Sequence, residues 1–547
     1  MVLVMAKISD ACPLMNLTMN RDALPGWIAA VAASLPTSAI AITVVAAWLL
    51  LGLIAKSALK RKAGKLDMPY VDFTDGGKRS MERYAQEGNA LLTRGYQEYS
   101  KQGLPFSFFN STNTSRPLAI LPTKYLEEVR NASSSKLSFN EFLNKSQISA
   151  DIGAPQVTDR IIHVVRQDLN KSLNDLIQPL HQACAKVVPR LIPPSQDWTS
   201  HPGFMALFQI VGRLMARVLV GSELWDDDEW HQVCMMYFGA GMIATARVRN
   251  GWYPTWLRWT SRFLDKYVIG IYLARRKGQK ILKPVVQARV AEVKAKKDDN
   301  NSKSKLGDGI GWLAESYMNS GKSRPSPGDI MQDVAFLIAA SVPSTASTCL
   351  SILYDLIDID HANTLAEIRE EISLVFSENG STWTRRALGE LRLLDSFMKE
   401  SQRIHNLQFN TMQRMVLEPE GYTFKDGLHL PQGTPMVMPS RLLGLDPDLH
   451  READKFDATR WKKKREEGDA TKFHFASIHD DMLPWGSGPH ACPGRFIAQD
   501  IIKLILVHFV TQYDIKCAEG DGHRPVDTPD HATFNPNMGA MLMFKER

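Results

Sequence analysis

The stretch WGSGPHACPGRF, residues 485–496, decides how the rest of this 547-residue chain is read. Glycines at 486, 488 and 494 permit backbone angles that a side chain forbids, so the chain can fold tightly around the sulfur of Cys492 and let a flat ligand approach its backbone. The residues that follow, Arg495 to Phe509, carry a helical pattern. Cys492 and Pro493 therefore stand just ahead of a helix N-terminus, where unpaired N–H groups and the positive end of the dipole favour a thiolate. A buried, inert cysteine is the other use of the residue. A chance match at Gly486, Gly488, His490, Cys492, Gly494 and Arg495 together has odds of roughly one in a hundred thousand in a chain this long. Zinc is disfavoured, because no CxxC occurs and His490, two residues from Cys492, makes no structural zinc pair.

A lone thiolate so placed suits the axial position of haem iron, where it pushes electron density onto the metal. The loop resembles the haem-binding signature of the cytochrome P450 superfamily, with Trp485 where that family most often has Phe. Two further segments stand in family order. Glu400-Ser401-Gln402-Arg403 resembles the ExxR motif, and FDATRW, from Phe456 to Trp461, resembles the segment whose arginine, here Arg460, completes a buried Glu-Arg-Arg triad. Glu400 and Arg403 are i and i+3 on a predicted helix and can face each other. Leu393, Leu394, Phe397, Met398, Ile404 and Leu407 make that helix largely apolar, so this structural triad is expected to hold the fold rather than touch substrate.

The resemblance implies a mainly α cytochrome P450 fold with small β-sheets and haem, iron protoporphyrin IX, as the cofactor. It assigns Cys492 as axial ligand of the iron and Trp485, Gly486, His490 and Arg414 as cofactor-binding residues, the last two pairing with the haem propionates. His163 and Arg166 are further candidates, although the Trp-containing motif common in the family's early helix is absent.

Length and a 44% hydrophobic content allow a large core. No linker or internal repeat divides the chain, and the most polar stretch, Lys294 to Asp308, reads as a surface loop within one catalytic domain, residues 67–547. A net charge of +6 is modest for this size and does not suggest a nucleic-acid protein. Residues 1–66 form a separate N-terminal segment. Ala23 to Ala55 holds no charged residue, and residues 39–55 are apolar enough for one N-terminal transmembrane helix. Lys56, Lys60, Arg61, Lys62 and Lys65 follow, which keeps the remainder cytosolic. A cleavable signal peptide fits less well, since the apolar run starts late and lacks a basic leader. The topology resembles the endoplasmic-reticulum enzymes of the family. It leaves all cysteines but Cys12 reduced and only the Asn16 sequon open to glycosylation.

Helical periodicity covers Asp159 to Val188, Pro202 to Val220, Glu229 to Ala246, Thr260 to Arg276 and Ser326 to Ile357. Strand-like pieces are Leu118 to Leu121, Thr411 to Leu417, Pro435 to Met438 and Gly539 to Phe544. Three tryptophans between Trp252 and Trp259 suit either a membrane interface or core packing. By the resemblance, Ala339 to Thr345 (AASVPST) occupies the family's oxygen-binding position, where an acid and a Thr usually relay protons. Here Pro343 replaces the acid, so Ser344 or Thr345 with water is expected to carry the protons. The alternative is that both hydroxyls bond back to the preceding turn. Substrate is expected against Leu407, Phe409, Asn410, Ala339, Ala340 and the turn at Met538 and Gly539, a mostly apolar set that suits a lipophilic molecule.

The expected activity is a haem-thiolate monooxygenase inserting one oxygen atom from dioxygen. No glycine-rich flavin or nicotinamide fingerprint occurs, so electrons are expected from a separate NADPH–cytochrome P450 reductase. The form of the motifs resembles fungal oxygenases of secondary metabolism, with a terpenoid the favoured substrate. Two other readings stay open: a reductase-independent haem-thiolate isomerase or dehydratase, kept by Pro343, and a non-catalytic haem-binding protein.

Overall fold

The structure, a computed structural model, describes residues 66–547 apart from 76–79, 110–115, 147–148, 250–252, 254, 299–306, 322–324 and 531–532. The predicted membrane segment at 39–55, the basic run behind it, Cys12, Trp252 and the Asn16 sequon lie outside the described residues.

Helices dominate. α1 (Met81–Glu98) opens on Ser80, whose hydroxyl accepts from the Arg83 N–H. α2 (Asn170–Leu191) continues the short helix Asp159–Val164 through a π-turn, Val165–Leu169, so the predicted single helix carries one wide turn at Arg166. α3 (Gly203–Leu219), α4 (Asp228–Arg249) and α5 (Lys266–Asp298) follow. The break before α5 is Asp265, whose carboxylate accepts from the N–H groups of Tyr267 and Val268 and so caps it. α5 runs well past the predicted end at Arg276, and it takes the first five residues of the stretch read as a surface loop. Lys294-Ala295-Lys296-Lys297 are strong helix formers, and propensity outweighs polarity there.

α6 (Pro327–Leu356) starts with a reciprocal capping box between Ser326 and Asp329 and a proline in its first turn. It is apolar on most sides and packs against α3, α5, α7 (Arg392–Ile404) and α9 (Arg495–Gln512). It is long and apolar enough to cross a membrane, yet it is a core helix. Between α7 and α9 lies α8 (Ser440–Gly444).

One five-stranded sheet stands beside this helical body. Its strands are β1 (Phe106–Phe108), β2 (Leu118–Ile120), β3 (Leu137–Ser138), β4 (Thr411–Val416) and β5 (Pro435–Met438), in the order β1-β2-β5-β4-β3. β2 runs parallel to β5, and β4 antiparallel to it with a bulge between Thr411 and Arg414. The final strand, Met541–Glu546, pairs with Thr199–Pro202 and Tyr513–Cys517. A hairpin pairs Thr528–Asp530 with Thr533–Asn535. Two apolar clusters result, one within the helices and one between the sheet and α1.

Candidate active site

The loop before α9 is held by its own backbone. Gly486 and Gly488 take φ of +69° and +67°, the left-handed region that favours glycine. This turn lets the Cys492 N–H donate back to the Trp485 carbonyl at 2.7 Å and the Ala491 N–H to Gly488 at 3.1 Å. The Trp485 indole donates to the Phe475 carbonyl at 2.9 Å, and Arg495 reaches the carbonyls of Cys492 at 2.8 Å and Ala476 at 3.1 Å. Burial pushes the Cys492 thiol up, while the backbone N–H groups of Gly494 and Arg495 and the Arg495 charge favour its thiolate.

The loop is clamped to the sheet by an uncommon contact. Met412, in the bulge of β4, has φ of +53° although it is not glycine. Its sulfur accepts the Ser487 N–H at 3.1 Å. The bulge turns Arg414 inward, where only 1% of it is exposed. One of its nitrogens donates to the Gln413 carbonyl at 2.7 Å, while Nε and Nη2 are buried without a partner. Burial pulls this guanidinium down to about 10.

Other cations gather round it. His490 is pulled down first by burial and then by the charges of Arg414 and Arg166, so the three share one region. Arg166 Nη2 donates to the Pro489 carbonyl. Arg130, which the sequence reading missed, reaches Ser487 Oγ at 3.2 Å and pairs with Asp480 at 3.0 Å. His163 is exposed, and no described hydrogen bond ties it to the loop. Two orphaned donors on a buried arginine, flanked by further cations, fit a ligand that brings its own carboxylates. Haem does so, and Cys492 offers sulfur beside them.

The family model for cytochrome P450 matches residues 252–543. This chain belongs to the cytochrome P450 family. Among its relatives, cytochrome P450 monooxygenase cheE of Chaetomium globosum is 36% identical over 88% of this chain and 91% of its own length. Cytochrome P450 monooxygenase ccsG of Aspergillus clavatus is 35% identical over 90% and 94%. Pyrichalasin C-7 hydroxylase of Pyricularia grisea is 35% identical over 81% and 85%. The protein is thus an oxidoreductase of the monooxygenase type, and P450s bind haem through a cysteine thiolate and draw electrons from a redox partner.

Elsewhere in this P450, Glu400 and Arg403 are fully buried and meet at 2.7 and 3.1 Å. Arg460 Nε lies 2.9 Å from the same carboxylate. Glu400 also accepts from the Trp461 indole at 2.9 Å and the Asp457 N–H at 3.1 Å, two partners that motif reading did not name. Asp395, one turn earlier, pairs with Lys503 and Arg465, each at 2.7 Å. Lys399 is buried between these networks with one bond to the Ser477 carbonyl, and burial pulls its ammonium down to about 7.

On α6 the two candidate hydroxyls part company. Ala340 and Ser344 are exposed, one turn apart on the same face, while Thr345 is buried. Ser344 Oγ donates to the Ala340 carbonyl at 2.8 Å. Pro343 has no N–H to give the preceding turn. Ala339 shares a small apolar pocket with Tyr237 and Phe238 of α4, a wall that sequence reasoning missed. Asn410 is buried with both amide atoms unpartnered, Leu407 and Met538 are half-buried, and Gly539 is exposed.

Proposed function

We propose that this P450 hydroxylates a lipophilic fungal secondary metabolite, with Cys492 as axial ligand of the haem iron and Arg414 and His490 holding the propionates. Arg166 is a third candidate for that contact. Bound there, haem supplies the activation of dioxygen, one atom of which enters the substrate. Trp485 and Gly486 set the loop backbone, and the Glu400, Arg403 and Arg460 triad keeps the fold around it. Ser344, exposed on α6, is the hydroxyl we assign to passing protons inward, although its Oγ bonds back to the Ala340 carbonyl as the alternative reading expects, and the buried Thr345 is second to it. Residues 39–55 anchor the chain in the endoplasmic-reticulum membrane, the catalytic part faces the cytosol, and NADPH–cytochrome P450 reductase supplies the electrons.

For the substrate, a compound of the pyrichalasin kind is favoured over a terpenoid, because a 35% identical relative is named for hydroxylating pyrichalasin. Shifts in haem absorbance on adding panels of either class discriminate between them.

The observation that carries the reading is Arg414, buried with two free donors, near the loop that presents Cys492. Cys492→Ser is expected to abolish the red-shifted absorbance of the reduced carbon monoxide complex, since an alcohol substitutes poorly for a thiolate. A variant that keeps that band overturns the assignment. Product formed without any reductase moves the reading to the isomerase alternative kept by Pro343.

A further inference from the structure

A second cavity, of about 450 Å³, lies between α1, α8 and the hairpin carrying Phe534. None of Cys492, Arg414, His490 or Ser344 lines it. Its size falls within the range of small-molecule sites, about 300–1,000 Å³.

Two buried polar side chains line it. Arg441, the second residue of α8, is 9% exposed, and its one described hydrogen bond is to the Asn406 carbonyl at 3.2 Å. Among the described residues no carboxylate lies within ion-pair distance of it. Asp527 acts on it only at longer range and is committed to Arg524 at 2.7 Å and His405 at 2.8 Å. The guanidinium carbon lies 3.8 Å from the centroid of the Phe534 ring, a cation–π contact that brings no counter-charge. Asn89 of α1 is 8% exposed, and neither its amide nitrogen nor its oxygen has a partner. Asp446, also in the wall, is already satisfied by Lys101 at 3.0 Å and the Tyr96 hydroxyl at 2.6 Å, so its charge is compensated.

Buried polar groups without partners are rare, and a buried cation without a counter-ion rarer still. We propose that this cavity, which shares Phe409 with the expected substrate wall but none of Cys492, Arg414 and His490, is a second ligand site that takes an amphiphilic carboxylate. The acid group lies on Arg441 and Asn89, and the apolar skeleton lies against Phe409, Leu442, Leu445 and Phe534. A carboxylate matches the planar fork of one guanidinium and accepts an amide N–H as well. The apolar part of the wall, which a small hydrated anion would leave wet, calls for an apolar skeleton on the ligand.

The test uses the full-length haem-loaded protein, with octanoate and its neutral counterpart 1-octanol as probes, binding measured by calorimetry and haem absorbance recorded in parallel. Octanoate is expected to bind about tenfold or more tighter than octanol, the value of one charge-assisted hydrogen bond, with haem absorbance unchanged. Arg441→Gln and Asn89→Leu are each expected to reduce that preference while keeping the carbon monoxide spectrum. Should Arg441→Gln fail to fold, Asn89→Leu alone decides. Equal affinity for acid and alcohol in the wild type overturns the proposal. So does a preference intact in the folded variants, or octanoate binding that perturbs the haem spectrum and survives Arg441→Gln.

Discussion

Glu400→Ala is the substitution whose cost this structure sets most sharply. The carboxylate accepts from Arg403, Arg460, the Trp461 indole and the Asp457 N–H, and it has no exposed surface. Removing it strands the guanidinium of Arg403, which is also fully buried. Deleting one partner of such a buried pair costs about 3–5 kcal/mol, against a total of about 5–15 kcal/mol for a typical native protein. Arg403 keeps bonds to the carbonyls of Gly444, Ala453 and Lys455, which soften the loss and argue for the lower end. Arg460→Ala is expected to cost less, about 1–3 kcal/mol, because that side chain is 10% exposed and Glu400 retains Arg403. The assay is equilibrium urea unfolding of the haem-loaded protein, with Glu400→Ala, Arg403→Met and the double variant compared in a cycle. The double variant removes both charges and should cost less than the sum of the single ones. A loss below about 1 kcal/mol in Glu400→Ala, or strict additivity, refutes the reasoning.

Lys399→Met tests the lysine that burial pulls to about 7. It binds fewer protons folded than unfolded between about 7 and its ordinary 10.5, so wild-type stability rises with pH across that window and the penalty is full below it. The methionine variant should therefore gain stability near pH 6.5 and gain less near pH 10, as read by urea midpoints at the two values. Ser344→Ala is expected to leave haem binding intact while electrons leak to hydrogen peroxide, with product falling by up to ~10²–10⁴. Thr345→Ala should do less, and tightly coupled turnover in the double variant would dismiss both hydroxyls. Deleting residues 1–62 should release the protein from microsomal membranes, with some salt-sensitive association persisting, as read by sedimentation. Salt-resistant integration of the truncated protein would place the anchor elsewhere.

The sequence disclosed what repeats locally and hid what depends on distance. The extents of α6, β4 and β5 were legible to within a residue or two, although all three are buried on most sides and not along a single face. Glu400, Arg403 and Arg460 were legible as motifs, but Trp461 as a further donor to that carboxylate was not, because the motif marks its arginine and does not say where the neighbouring indole N–H points. Arg130 was invisible because its partner Ser487 lies 357 residues on. The choice between Ser344 and Thr345 could not be read from adjacent letters, because one step along a helix turns a side chain by about 100°. α5 outran its predicted end because charged residues with good helical propensity resemble a loop by composition alone.

Met412 shows two demands on one residue in conflict. Its backbone would be relaxed by glycine, which takes positive φ freely, and the strain it carries is worth about 1 kcal/mol or more. Only a residue with an acceptor at that reach, however, can hold the Ser487 N–H. The chain keeps the sulfur and bears the torsion, a local frustration beside the loop that presents Cys492. Position 412 is consequently one where the substitution most comfortable for the strand would be the least comfortable for the site, and a gain in backbone ease there would loosen the grip on the thiolate loop.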